Sequence, residues 1–312
     1  MMLTSPDPSG LALTQGHDAE TGRRNMAKKH QIFVIAYDFD GTLAPGNMQE
    51  YDFVPALKMQ PHAFWREAKE LAQAQQADEI LAYMQLMIDK AGRARVPVRR
   101  QDFADFGANI SFFPGVETWF ERINAYGRER HLQVQHFIIS SGLREMIEGT
   151  RIADQFERIF ASGFMYDHNG VAYWPALAVN YTTKTQYLFR INKGSLDVHD
   201  NSQINQYVRP EERAVPFRNM VFIGDGETDI PCMRLVKEQG GHSIAVYTKG
   251  KSGARLQAQK LLSDGRTHLA AVADYSAGAA IDIAVKAMID KVVAERAISE
   301  AGLAAPTQPT KR

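Results

Sequence analysis

Residues 32–37 form an unbroken apolar run, Ile-Phe-Val-Ile-Ala-Tyr, that stops abruptly at Asp38-Phe39-Asp40-Gly41-Thr42. A strand without polar alternation is buried on both faces, as in a parallel sheet covered by helices. After Pro45-Gly46 the pattern turns helical. Pro61 suits the first turn of a helix reaching about Gln76. Ile80, Leu81, Met84, Met87 and Ile88 share one stripe of a second helix, which is expected to stop at Gly92. A third is expected over residues 99–110, with Phe103, Phe106 and Ile110 inward. Residues 46–111 therefore read as an all-helical insertion.

Phe112-Phe113-Pro114-Gly115 returns the chain to the main domain. Val116, Trp119, Phe120 and Ile123 then mark an amphipathic helix closed by Gly127. Beyond it, strands are expected near 132–139, 158–161, 220–223, 243–247 and 269–273. Helices are expected near 143–148, 184–191, 231–238, 254–262 and 279–301. Residues 164–166 and 171–174, joined by Asp167-His168-Asn169-Gly170, have the pattern of a small β-hairpin. Such alternation predicts a doubly wound, Rossmann-like α/β domain with a parallel sheet, built from residues 31–45 and 112–304, with the helical cap 46–111 inserted after the first strand. Residues 194–216 read as a long polar loop, residues 1–30 as a flexible leader in which Met26 is an alternative start, and residues 305–312 as a tail.

Composition narrows the class of protein. The 312 residues are 45% hydrophobic and 23% charged, enough for one core and a smaller second domain. Lys plus Arg and Asp plus Glu both number 36, so no general pull towards nucleic acid or anionic lipid is expected. No stretch approaches the roughly 20 apolar residues of a membrane span, and the leader has no apolar block of a secretory signal. The one cysteine, Cys232, excludes an intrachain disulfide. These features point to a cytoplasmic protein.

Ligands of doubly wound sheets bind at the carboxyl ends of strands, and four places there carry polar chemistry. Asp38 and Asp40 follow the first strand, two residues apart, and Gly41 permits the bend that would aim both into one site. Ser140-Ser141-Gly142 offers hydroxyl and N–H groups that suit a phosphate, although serine there serves equally as a helix cap. Thr182-Thr183-Lys184 places an ammonium in the expected first turn of a helix, where a bound anion would relieve its opposition to the dipole. In isolation this lysine reads as a solvated surface residue. Gly224-Asp225-Gly226-Glu227-Thr228-Asp229 suits a hard cation such as Mg2+, which prefers oxygen ligands.

In this order, DFDGT, ISSG, a helix-opening lysine and GDGETD closely resemble the four-motif signature of the haloacid-dehalogenase-like phosphatases, and the resemblance spans residues 32–229. It implies Asp38 as a nucleophile forming an aspartyl-phosphate and Asp40 as the acid/base that serves the leaving oxygen and then water. It implies Ser140 and Lys184 as phosphate-binding groups. Mg2+ would be held by Asp38, the main-chain carbonyl of Asp40, and Asp225, with Asp229 supporting the metal shell or the lysine. The cation and Lys184 would neutralise repulsion between carboxylate and phosphate. Asp40 disfavours carbon–halogen cleavage, since the dehalogenases of the superfamily lack an acid there.

The helical insertion resembles the cap of the phosphoserine-phosphatase-like branch. Within it, Glu50 is a candidate for meeting a substrate amine, and Arg93, Arg95, Arg99 and Arg100 read either as a second anion site or as a solvated face. Lys193 competes with Lys184, but its place near a helix end complements the dipole. Lys249-Gly250-Lys251-Ser252 resembles the end of a phosphate-binding loop without its upstream glycine, where Ala245 stands. The expectation is a Mg2+-dependent phosphatase acting on a small phosphorylated metabolite. A phosphotransferase or phosphomutase using the same intermediate, or a non-catalytic binding protein on this scaffold, are the alternatives.

Overall fold

The computed structural model describes residues 31–303; the expected leader and all of the expected tail lie outside them. The first strand, β1 (Gln31–Tyr37), has residues 33–37 fully buried. Phe33, Ile35 and Tyr37 face one apolar layer, whereas Val34 and Ala36 face another. That two-sided burial is why the strand reads as a continuous apolar run.

Four helices follow: α1 (Phe53–Ala56), α2 (Pro61–Gln75), α3 (Glu79–Ala94) and α4 (Arg100–Ala108). Pro61 starts α2, as expected, and the Asp78 carboxylate caps α3 through the N–H groups of Ile80 and Leu81. The expected stop at Gly92 is passed: α3 runs on to Ala94 and closes on Arg95, whose φ is 55°. One glycine costs a helix only about 1 kcal/mol relative to alanine, and burial of Tyr83, Met84, Met87 and Ala91 on its inner face outweighs that.

The chain continues through α5 (Val116–Arg128), β2 (Leu132–Leu143), α6 (Arg144–Glu148), β3 (Arg158–Tyr166), β4 (Ala172–Leu177), α7 (Tyr181–Lys193), β5 (Met220–Gly224), α8 (Ile230–Glu238), β6 (His242–Tyr247), α9 (Ala254–Ser263), β7 (Leu269–Val272) and α10 (Ala280–Leu303). The sheet order is β4-β3-β2-β1-β5-β6-β7, parallel except for the antiparallel edge strand β4. Sequence order departs from β1 towards β2 and β3, then returns to β1's other side with β5. This is the topological switch point at which open α/β sheets bind ligands. The expected hairpin is present, but its first arm is not separate: β3 leaves the central sheet and becomes that arm directly.

The helices between β1 and α5 share one apolar cluster with the sheet. Phe103 of α4 stacks on Phe164 of β3 at 5.4 Å between ring centroids. The Ala172 N–H donates to the Val98 carbonyl, and the Arg100 N–H to that of Gly170. The long loop after α7 is tied down by its own helix. Buried Arg190 donates to the carbonyls of Asp197, Val198 and Asp200 and to Asn201 Oδ1, and Lys193 Nζ donates to the carbonyls of Ile204 and Gln206. Among the described residues, no helix is long and apolar enough to cross a membrane.

Candidate active site

The carboxyl ends of β1, β2 and β5 converge on a cavity of about 260 Å³ lined by Asp38, Asp40, Ser140, Ser141 and Asp225, among others. Backbone bonds set this convergence: β1 pairs β2 on one side and β5 on the other, and the Asp38 N–H donates to the Ile223 carbonyl at 2.9 Å. Two glycines let the carboxylates in. At Gly41, with φ of 72°, a Cβ would overlap the Asp225 carboxylate, and at Gly224 a Cβ would overlap that of Asp229.

Behind Asp38 lies Lys184, fully buried, its Nζ 2.7 Å from Asp229 Oδ1 and 3.2 Å from Asp38 Oδ1. Lys184 stands one turn inside α7 and does not open it. The Asn180 N–H donates to Thr183 Oγ1 and the Thr183 N–H to the Asn180 carbonyl, both at 2.7 Å, and this turn starts the helix three residues earlier than expected. Asp229 also accepts from the Asp225 and Gly226 N–H groups through Oδ2, so both its oxygens are occupied. Asp38 Oδ1 accepts the Phe39 N–H at 2.8 Å, and Asp40 Oδ1 that of Met48 at 2.9 Å. Ser140 Oγ accepts from the Gly142 N–H. Lys193, bonded to its loop, takes no part.

Four carboxylates thus gather near one buried ammonium. Burial works to deprotonate Lys184, but the charges of Asp229 and Asp38 overcome it and raise its pKa. The same crowding acts in the opposite sense on the acids. Burial, then the charge of Asp38, push Asp40 well above the ordinary carboxylate range, with the Met48 N–H opposing. Burial and the charges of Asp229 and Asp38 push Asp225 up to about 8. Asp229 rises to about 7 despite its lysine, chiefly through burial and then Asp38. The direction for the Lys184–Asp229 pair is a charged lysine in a site with excess negative charge. Asp38, Asp225 and Asp229 each offer an oxygen within 4.8 Å of the others, and such a group could hold a metal ion. The donor set is all carboxylate, and the unmatched charge is what a hard divalent cation would neutralise, so the residues fit Mg2+.

Glu50 is placed beside this cavity, with Oε1 already accepting from Asn47 Nδ2 and Trp65 Nε1, both at 2.7 Å. The cavity wall over Asp40 is instead made by Asn47, Gln49, Trp65, Ile80 and Tyr83, with Thr228 and Lys251 at the rim. The sequence pattern did not single out Gln49, Trp65 or Tyr83, and Lys251 was set aside with the incomplete loop pattern of residues 249–252. Ser141 Oγ is also buried without a hydrogen-bond partner in this wall.

An acidic cleft at the switch point of a doubly wound sheet narrows the class of protein. The chain belongs to the haloacid dehalogenase-like hydrolase family, whose model matches residues 35–234. An uncharacterized protein of Borreliella burgdorferi is 28% identical over 281 residues, covering 81% of this chain and 95% of the relative. Among solved structures, a haloacid-dehalogenase-family hydrolase from Salmonella enterica serovar Typhi is 18% identical with a TM-score of 0.48, over 76% of this chain and 66% of that one. A substrate-bound phosphoserine phosphatase is 12% identical with a TM-score of 0.49, over 77% of this chain and 92% of that one.

Proposed function

We propose that the protein is a Mg2+-dependent phosphatase that hydrolyses a small-molecule phosphomonoester through an aspartyl-phosphate on Asp38. The observation that carries this reading is the Asp38–Lys184 contact of 3.2 Å at the floor of a cleft that also holds Asp40. Oδ1 of Asp38 is held by the Phe39 N–H and Lys184, which fix the carboxylate that attacks phosphorus. Lys184, Ser140 and nearby N–H groups hold the phosphoryl oxygens as charge grows on them. The ester P–O bond breaks, and Asp40 gives its proton to the departing oxygen. The raised pKa of Asp40 suits a group that must carry a proton near neutral pH. Asp40 then takes a proton from water as that water attacks phosphorus, which frees phosphate and restores the Asp38 carboxylate.

Because both oxygens of Asp229 are occupied, the side chains that would hold Mg2+ are Asp38 and Asp225, with the Asp40 main-chain carbonyl. When bound, the ion supplies positive charge that offsets the repulsion between carboxylate and phosphate. Asp229 fixes Lys184. The segment 46–111 acts as a cap of the phosphoserine-phosphatase-like kind, covering the cleft with α2 and α3 through Trp65, Ile80 and Tyr83.

The test is phosphate release from p-nitrophenyl phosphate with Mg2+, with chelator, and with Mg2+ restored. The expected result is activity that disappears with chelator and returns with the ion. Activity indifferent to chelator contradicts the reading.

A further inference from the structure

Gln49 is 1% exposed, yet its Oε1 has no hydrogen-bond partner, and the residue lines the cavity beside Asp40. A buried acceptor without a donor is costly and rare. Tyr83, which lines the same cavity, spends its O–H on the Ser141 carbonyl at 2.8 Å and has none to give Gln49 Oε1.

The neighbouring part of this wall is largely aromatic. Trp65 is fixed by its Nε1–H donation to Glu50 and packs edge-on against Tyr83 at 5.5 Å between centroids. Trp65, Ile80 and Tyr83 also line a second cavity of about 260 Å³ between α2 and α3, with Ala68, Lys69 and Glu79. Room of this kind, walled by two aromatic rings and an isoleucine, suits an apolar body.

We propose that Gln49 reads the leaving group, accepting a hydrogen bond from a hydroxyl or N–H on an aryl or heteroaryl body packed against Trp65, Ile80 and Tyr83. This rests on the phosphatase reading and gives it a substrate class.

Steady-state kinetics with Mg2+ test it on phenyl phosphate, the three hydroxyphenyl phosphates and O-phosphoserine. At least one hydroxyphenyl ester is expected to exceed phenyl phosphate in kcat/KM by about tenfold, the value of one buried hydrogen bond, mainly through KM. In Gln49→Leu that ratio falls to near one; Gln49→Met replaces it if the leucine variant has a lowered melting midpoint. Gln49→Glu shifts preference towards O-phosphoserine. Three results overturn the inference: O-phosphoserine turned over better than every aryl ester, aryl esters cleaved with no preference for a hydroxyl, or a hydroxyl preference that survives removal of the amide. No Mg2+-dependent release from any ester sinks the phosphatase reading itself, and is thereby distinguishable.

Discussion

Lys184 Nζ lies 2.7 Å from Asp229 and 3.2 Å from Asp38, and all three groups are buried. One cation thus holds the proposed nucleophile to a carboxylate that is anchored by two backbone N–H groups. Breaking one side of such a buried pair strands a charge and costs about 3–5 kcal/mol, whereas replacing both sides with apolar groups often costs little. Lys184→Met and Asp229→Leu are each expected to be strongly destabilised, and the double variant to be more stable than either. All three should lose about 100-fold or more in kcat. Urea unfolding and phosphate release check this; additive destabilisation in the double variant would contradict it.

A cation in the cleft should stabilise the folded chain. Burial and the charges around it push Asp225 up to about 8, so the protein without the ion carries repulsion that the ion relieves. At a Mg2+ concentration about 100 times its dissociation constant, the stabilisation is about 2.7 kcal/mol. Thermal melts should show a Mg2+-dependent rise for the wild type and none for Asp225→Asn. Gly41→Ala should behave like Asp225→Asn, because its methyl would overlap the Asp225 carboxylate.

His136 gives a separate pH dependence, remote from the carboxylate cluster. The Trp119 Nε1–H donates to the Tyr37 hydroxyl at 2.7 Å, so the Tyr37 O–H donates to His136 Nδ1, and Nε2–H to Asn124. Burial lowers the His136 pKa to about 3. The unfolded chain takes up a proton below about pH 6.5 and the folded one does not, so stability falls as pH drops from there towards 3. The full loss is on the order of 4 kcal/mol. The difference between wild type and His136→Gln in urea midpoints from pH 7 to 4 measures it. A difference independent of pH would contradict the assignment.

Glu50 positions Trp65 in this account and does not meet the substrate itself. Glu50→Ala leaves the Trp65 Nε1–H without its acceptor, and KM for aryl phosphates should rise about tenfold with a smaller change in kcat. A loss confined to phosphorylated amines would instead restore Glu50 as the amine-binding group.

The parts of this arrangement that one element dictates were legible in the sequence. A continuous apolar run ending in Asp38 could only be a buried strand delivering a carboxylate to the sheet edge, and Met220 to Ile223 deliver Asp225 in the same way. Local competition was harder to read. The Asn180–Thr183 cap moved the start of α7 ahead of Lys184, and the ISSG segment stays within β2 to Leu143 because its pairing with β3 shifts register after Ser140. Gln49, Trp65 and Tyr83 carry no signal at all, since a short 3-10 turn at Met48–Glu50 and two separate helices bring them together only in three dimensions.

In the proposed reaction the Asp38 carboxylate carries the phosphoryl group between the two steps. Wild-type protein with Mg2+ and a phosphorus-labelled ester, quenched in acid within a turnover and digested, should yield label on the peptide containing Asp38. Asp38→Asn should show neither label nor turnover. Label mapped to another residue, or full turnover in Asp38→Asn, would contradict the account.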